Sequence, residues 1–113
     1  DTVNDKYLRS RIYVLLGDLY TNQYTLTGER TSFEKAKNNY NSSINLANIN
    51  IMESYIKKID LLMMENNKSE AIDAIDNAKS YMNDKLENNK LSIPGYYVAR
   101  INEYIAMFAL EIL

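Results

Sequence analysis

Ala36-Lys37-Asn38-Asn39-Tyr40-Asn41-Ser42-Ser43 and Ala71-Ile72-Asp73-Ala74-Ile75-Asp76-Asn77-Ala78 are the two segments whose reading decides the fold. Each carries a small residue, a large one four places on, and a small one three places further, and the two lie 35 residues apart. Offsets of four and three return to one face of an α-helix, so each trio marks a face where a neighbouring helix can approach closely. An apolar stripe at helical spacing precedes each. A repeated pair of helices at this period predicts antiparallel hairpins that bury their faces by stacking, a short solenoid.

Outward from the echo, the pattern predicts five helices and no strands. The first is expected from about Asp5 to Tyr24, with Leu8, Ile12, Leu15, Leu16, Leu19 and Gln23 as its inward face. Gly17 in its middle predicts close approach by another helix. Thr25–Arg30 reads as a turn. Thr31, Ser32, Phe33 and Glu34 match a capping box, and Phe33, Ala36, Tyr40, Ser43, Ile44 and Ala47 form the face of the second helix. Asn48 to Asn50 break the pattern. A third helix, about Ile51 to Glu65, turns Met52, Tyr55, Ile56, Ile59, Leu62 and Met63 inward. Asn67, with Glu70 three residues on, caps a fourth that buries Ala71, Ile72, Ile75, Ala78, Met82 and Leu86. Ser92 and Pro94 open a fifth that runs toward Leu113. The expected organisation is hairpin one over about 5–48, hairpin two over about 50–88 and a terminal helix over about 93–113, in a single domain of a longer chain.

The 113 residues suffice for one modest core, and 46% hydrophobic with 25% charged residues excludes wholesale disorder. Fifteen acidic and 13 basic residues are scattered without a basic cluster, which argues against nucleic acid as a partner. Without Cys or His, thiolate metal sites, imidazole ligands and Ser/His/Asp or Cys/His catalysis drop out. Gly17, Gly28 and Gly95 are isolated, so there is no phosphate loop. No cofactor, no metal and no catalytic residue is expected, and the protein reads as a non-enzyme. No apolar run is long enough to enter a membrane. The chain begins at Asp1 rather than Met, which suggests a processed product or excised domain and leaves localisation open. Fifteen Asn, with many Ile, Lys and Tyr, are what an AT-rich genome would give.

Tyr13, Leu16, Gly17 and Tyr20, followed by Ala36, Tyr40 and Ser43, resemble the tetratricopeptide repeat (TPR) family. Tyr55, Leu62, Ala71, Ile75 and Ala78 echo the same template in a second, divergent unit. Unit one carries seven more residues between Tyr20 and Ala36 than the family spacing, which either lengthen both helices or form a surface loop. Lys58 and Ile59 stand where the family has Leu and a small residue. A one-residue shift of the third helix repairs this but shortens the turn, so two registers are open. The resemblance implies a TPR-like fold whose concave groove is lined by Arg11, Val14, Asp18, Thr21 and Asn22 from the first helix. From the third it implies Glu53, Ile56, Lys57, Asp60, Met63 and Met64. Val14 and Asp18 hold the places of the Lys and Asn that clamp a C-terminal carboxylate in some members, so that mode is not expected. Arg11 and Lys57 remain available to an acidic peptide.

Two further features come from the residues themselves. Ten Tyr against two Phe and no Trp suggest either groove fillers or a recognition surface, with Tyr96 expected to be exposed. Residues 105–110 are apolar all round, so Met107 and Phe108 are candidates for contact with further chain, a partner or a second copy through this terminal helix. The expectation is therefore a noncatalytic scaffold of TPR-like hairpins that binds a protein or peptide segment. The alternatives are a sensory helical-repeat domain of a bacterial regulator and a structural subunit of an extracytoplasmic assembly.

Overall fold

The computed structural model describes residues 3–46, 51–87 and 95–112. They form five α-helices: α1 (Val3–Thr27), α2 (Arg30–Asn45), α3 (Ile51–Met64), α4 (Lys68–Glu87) and α5 (Gly95–Ile112). Among the described residues there is no strand, and the all-α expectation holds. The chain divides into two compact units, the first ending at Leu61 and the second beginning at Leu62, so the division falls inside α3. Ser92, Pro94, Ala47 and the break expected at Asn48–Asn50 lie outside the described residues. So do the side chains of Leu86, Leu110 and Ile112, and Leu113 altogether.

In the first unit α1 and α2 form an antiparallel hairpin. Tyr24 meets Phe33 edge to face at 5.5 Å, Gly17 faces Tyr40, and Ser10 reaches Ser43, so positions descend along α1 as they ascend along α2. The seven additional residues are helical. α1 runs on to Thr27 and α2 starts at Arg30, leaving Gly28 and Glu29 to make the turn. Gly28 adopts a φ of 70°, a left-handed conformation suited to glycine, and its N–H donates to the Tyr24 carbonyl at 2.8 Å. Two added helical stretches keep the inner faces in phase because seven residues are close to two turns.

Two expectations fail here. The capping box does not form: α2 begins one residue before Thr31, and its N-cap is Glu29, which makes no side-chain cap hydrogen bond. Glu34 is held instead by Arg30 at 2.9 Å and Lys37 at 3.6 Å. The inward face of α1 is also different. Leu8, Ile12, Leu15 and Leu19 are 57, 55, 52 and 50% exposed, while Ser10, Val14 and Gly17 are buried. Small residues win this face because they admit α2 at a distance that leucines would block. A Cβ on Gly17 would lie 2.4 Å from Tyr40 Cε1.

A chain of hydroxyls crosses the buried core of this unit. Ser43 Oγ of α2 lies 2.8 Å from Ser10 Oγ of α1 and 2.8 Å from Ser54 Oγ of α3, and all three side chains are fully buried. Buried hydroxyls are stable only when hydrogen-bonded, so Ser43 fixes the mutual placement of the three helices. Ser43→Ala is expected to cost about 1–2 kcal/mol in urea unfolding, whereas Ser42→Ala at its half-buried neighbour stays within about 0.5 kcal/mol.

The second unit is built on α4 and α5. Asn66 ends the preceding helix in a left-handed conformation (φ 57°), and Asn67 Oδ1 accepts the Glu70 N–H at 3.2 Å, the expected cap. Ala71, Ala74, Ile75, Ala78 and Met82 are buried on α4, and Ile101, Tyr104 and Phe108 on α5. Ile72, expected inside, is 39% exposed because the Ala71–Ile75–Ala78 face carries the packing.

Candidate functional site

α1 and α3 place five of the expected groove residues in one polar network. Arg11 Nη1 donates to both carboxylate oxygens of Glu53, at 3.2 and 3.1 Å. Lys57 Nζ contacts Asp18 Oδ2 at 2.5 Å and lies 3.6 Å from Glu53 Oε1. The pairs 11–53 and 18–57 advance together, so the two helices run in the same direction side by side. Each side chain in this row is part-exposed, and the alternating signs cancel along it. Such pairs contribute little stability singly, roughly 0.2–1 kcal/mol each, but they hold the charges in fixed positions.

Beneath the row sits Tyr40. Its ring is nearly fully buried, and its hydroxyl donates to Asp18 Oδ1 at 2.7 Å while Thr21 Oγ1 lies 3.1 Å away. With the phenolic proton directed at the carboxylate, the Thr21 hydroxyl donates to Tyr40 Oη. Burial pushes the Tyr40 pKa well above its ordinary 10.0; the Asp18 carboxylate and the charge of Asp60 add to this, outweighing the Thr21 hydroxyl, which lowers it. Asp60, a half-buried α3 candidate, is thus close enough to act on the same group. Asp18 is the junction, with one oxygen bound to the core tyrosine and the other to the surface lysine. Burial also raises the Tyr55 pKa.

The remaining candidates separate. Val14 is fully buried, so its side chain is not presented to a ligand in the groove; by spacing it continues the run Ser10, Gly17, Thr21. Ile56, implied as a groove residue, is buried too. Asn22 is exposed beside the network, and Met64 is exposed at the end of α3. In the second unit Tyr96 and Met107 are exposed as expected. Phe108 is buried, because α5 turns Ile101, Tyr104 and Phe108 toward α4, so it is a core residue rather than a free contact. Its edge lines an open groove of about 200 Å³ with Ile72, Ile75, Asp76, Ile105 and Ala109.

The Ser10 and Ser54 hydroxyls and the phenol of Tyr40 were not among the sequence candidates. Ser10, Val14, Gly17, Thr21 and Tyr24 recur at offsets of four and three, and that small-residue face was the signal available. Among the described residues no group of three or more acidic side chains is placed to hold a metal ion, and no helix is long and apolar enough to cross a membrane. No family model matches the chain, and neither a curated protein nor a solved structure is detectably similar to it.

Proposed function

We propose that this chain is a noncatalytic, TPR-like scaffold module that binds a peptide or protein segment across the row formed by α1 and α3. The observation that carries the reading is the parallel placement of these helices, with Arg11, Asp18, Glu53 and Lys57 fixed in register between them. A groove of this kind recognises an extended segment by offering charged groups that need little further ordering. Each pair in the row is part-exposed, so replacing an intramolecular partner by a ligand's charge changes the free energy little. A segment carrying both signs of charge fits best, its carboxylates meeting Arg11 and Lys57 and its amines meeting Asp18 and Glu53.

Selection from a displayed library of random peptides on the folded protein tests this reading. Enriched peptides of mixed charge are expected to bind the isolated protein in calorimetry and to weaken about tenfold with Arg11→Ala or Lys57→Ala, a loss of about 1.4 kcal/mol. Failure to enrich any peptide, or affinities indifferent to both substitutions, would overturn it.

A further inference from the structure

The carboxylate oxygens of Asp18 and Glu53 are all engaged within the chain. Tyr40 Oη donates to Asp18 Oδ1 at 2.7 Å, and Lys57 Nζ takes Oδ2. Arg11 Nη1 takes both oxygens of Glu53, and Lys57 shares Oε1. Arg11 itself is only half engaged. Both of its bonds leave from Nη1, and among the described residues neither Nε nor Nη2 has a partner. Nε–H and one N–H of Nη2 lie parallel along one edge of the guanidinium plane, a two-donor fork that matches the two oxygens of a carboxylate. The Arg11 side chain is 41% exposed.

The row therefore treats the two signs of charge differently. A ligand amine reaches Asp18 or Glu53 only in exchange for a cation of the chain, and an exchange of exposed ion pairs gains little. A ligand carboxylate on the open edge of Arg11 breaks no bond, so its contact is gained outright. The bonds from Nη1 to Glu53 already restrain the guanidinium, which lowers the ordering cost of that contact. Lys57 is not equivalent, because its ammonium is a point charge with no planar fork, and it already serves Asp18 and Glu53. We infer that an acidic side chain anchors the bound segment, its carboxylate received side-on by Nε and Nη2 of Arg11, with the segment's amines secondary. The inference rests on reading this row as a peptide site and names what that site selects: an Asp or Glu recognised by geometry as well as by charge.

Heteronuclear NMR of the arginine Nε–H groups in the full chain reads the contact directly. The probes are pools of short peptides, acetylated and amidated so that the chain ends carry no charge. Each pool has glutamate, glutamine or lysine fixed at the centre and uncharged residues randomised elsewhere. At millimolar concentration the glutamate pool is expected to move the Nε–H signal of Arg11 saturably, and the glutamine pool to leave it in place. Arg11→Lys keeps the charge but loses the fork. It is expected to raise the half-saturation concentration of the glutamate pool about tenfold, followed on the backbone amides of α1 and α3. The same exchange at exposed Arg9 should leave that concentration unchanged. Half-saturation that Arg11→Lys does not alter overturns the inference, since charge alone would then be read. So does a glutamate-pool shift spread evenly over the arginines without saturation. A response of the row to the lysine pool and not to the glutamate pool also overturns it, while leaving the row a peptide site. Silence of the row toward every pool overturns both readings.

Discussion

Gly17→Ala is expected to destabilise the first unit by about 2–4 kcal/mol, against the usual effect of this exchange in a helix. At an unencumbered position alanine stabilises a helix by roughly 1 kcal/mol relative to glycine. Here the new methyl group would lie 2.4, 2.6 and 2.8 Å from Tyr40 Cε1, Cδ1 and Cζ, well inside van der Waals contact. The ring has little room to retreat, because it is buried and its hydroxyl is held by Asp18 and Thr21. Either α1 and α2 separate, loosening the Ser10–Ser43 bond, or Tyr40 leaves its place and gives up the Asp18 bond. Overpacking costs roughly 1–3 kcal/mol and a lost bond to a charged group about 1.5–3. A double-mutant cycle isolates the cause. In a Tyr40→Ala background the clash is gone, and the same Gly17→Ala exchange should become stabilising by up to about 1 kcal/mol. Urea unfolding of the four proteins measures this, and a stabilising Gly17→Ala in the otherwise unaltered chain would show that the ring does not press on Gly17.

The same residue pair explains how far the sequence could be read. Helix number, the small-large-small faces of α2 and α4, the Asn67 cap and the close approach at Gly17 were legible, because spacing and residue size decide them locally. The inward face of α1 was not. α1 has two stripes at helical spacing, and the greasier one, Leu8 to Leu19, is the natural choice when hydrophobicity is the criterion. Packing chose the other, since Gly17 and Ser10 let α2 approach and Tyr40 fill the space between them. That reversal also buried Val14. Of the polar candidates, Arg11, Asp18, Thr21, Glu53 and Lys57 were legible as a set, but not that they would bond to one another and to Tyr40. The partners lie 19 to 42 residues apart, and no local pattern encodes which carboxylate takes which cation. The failed capping box has a similar origin: the added helical residues moved the start of α2 past Thr31, leaving Glu34 to its neighbours Arg30 and Lys37.

Alkaline pH should unfold the protein more readily than a Tyr40→Phe variant's pH dependence would allow. In the unfolded chain Tyr40 ionises near its ordinary value of 10.0, while in the folded protein burial, the Asp18 carboxylate and Asp60 hold the proton to much higher pH. Below pH 10 both states keep the proton, and the group contributes no pH dependence. Above it the unfolded state releases the proton first and so binds fewer, which makes stability fall as pH rises. The slope from one such group is about 1.4 kcal/mol per pH unit until the folded state also ionises. Tyr55 contributes in the same direction, since burial raises its pKa too, and it is common to both proteins. Tyr40→Phe keeps the ring against Gly17 but removes the proton and the bond to Asp18. At neutral pH the variant should be less stable by about 1.5–3 kcal/mol, the worth of a hydrogen bond to a charged group. Above pH 10 its stability should fall more slowly by one proton's slope, so the two curves converge and cross about one to two pH units higher. Urea unfolding at intervals from about pH 8 to about pH 12 gives both curves. Parallel curves throughout would mean that the Tyr40 hydroxyl is neither buried nor bound to Asp18 in the folded chain.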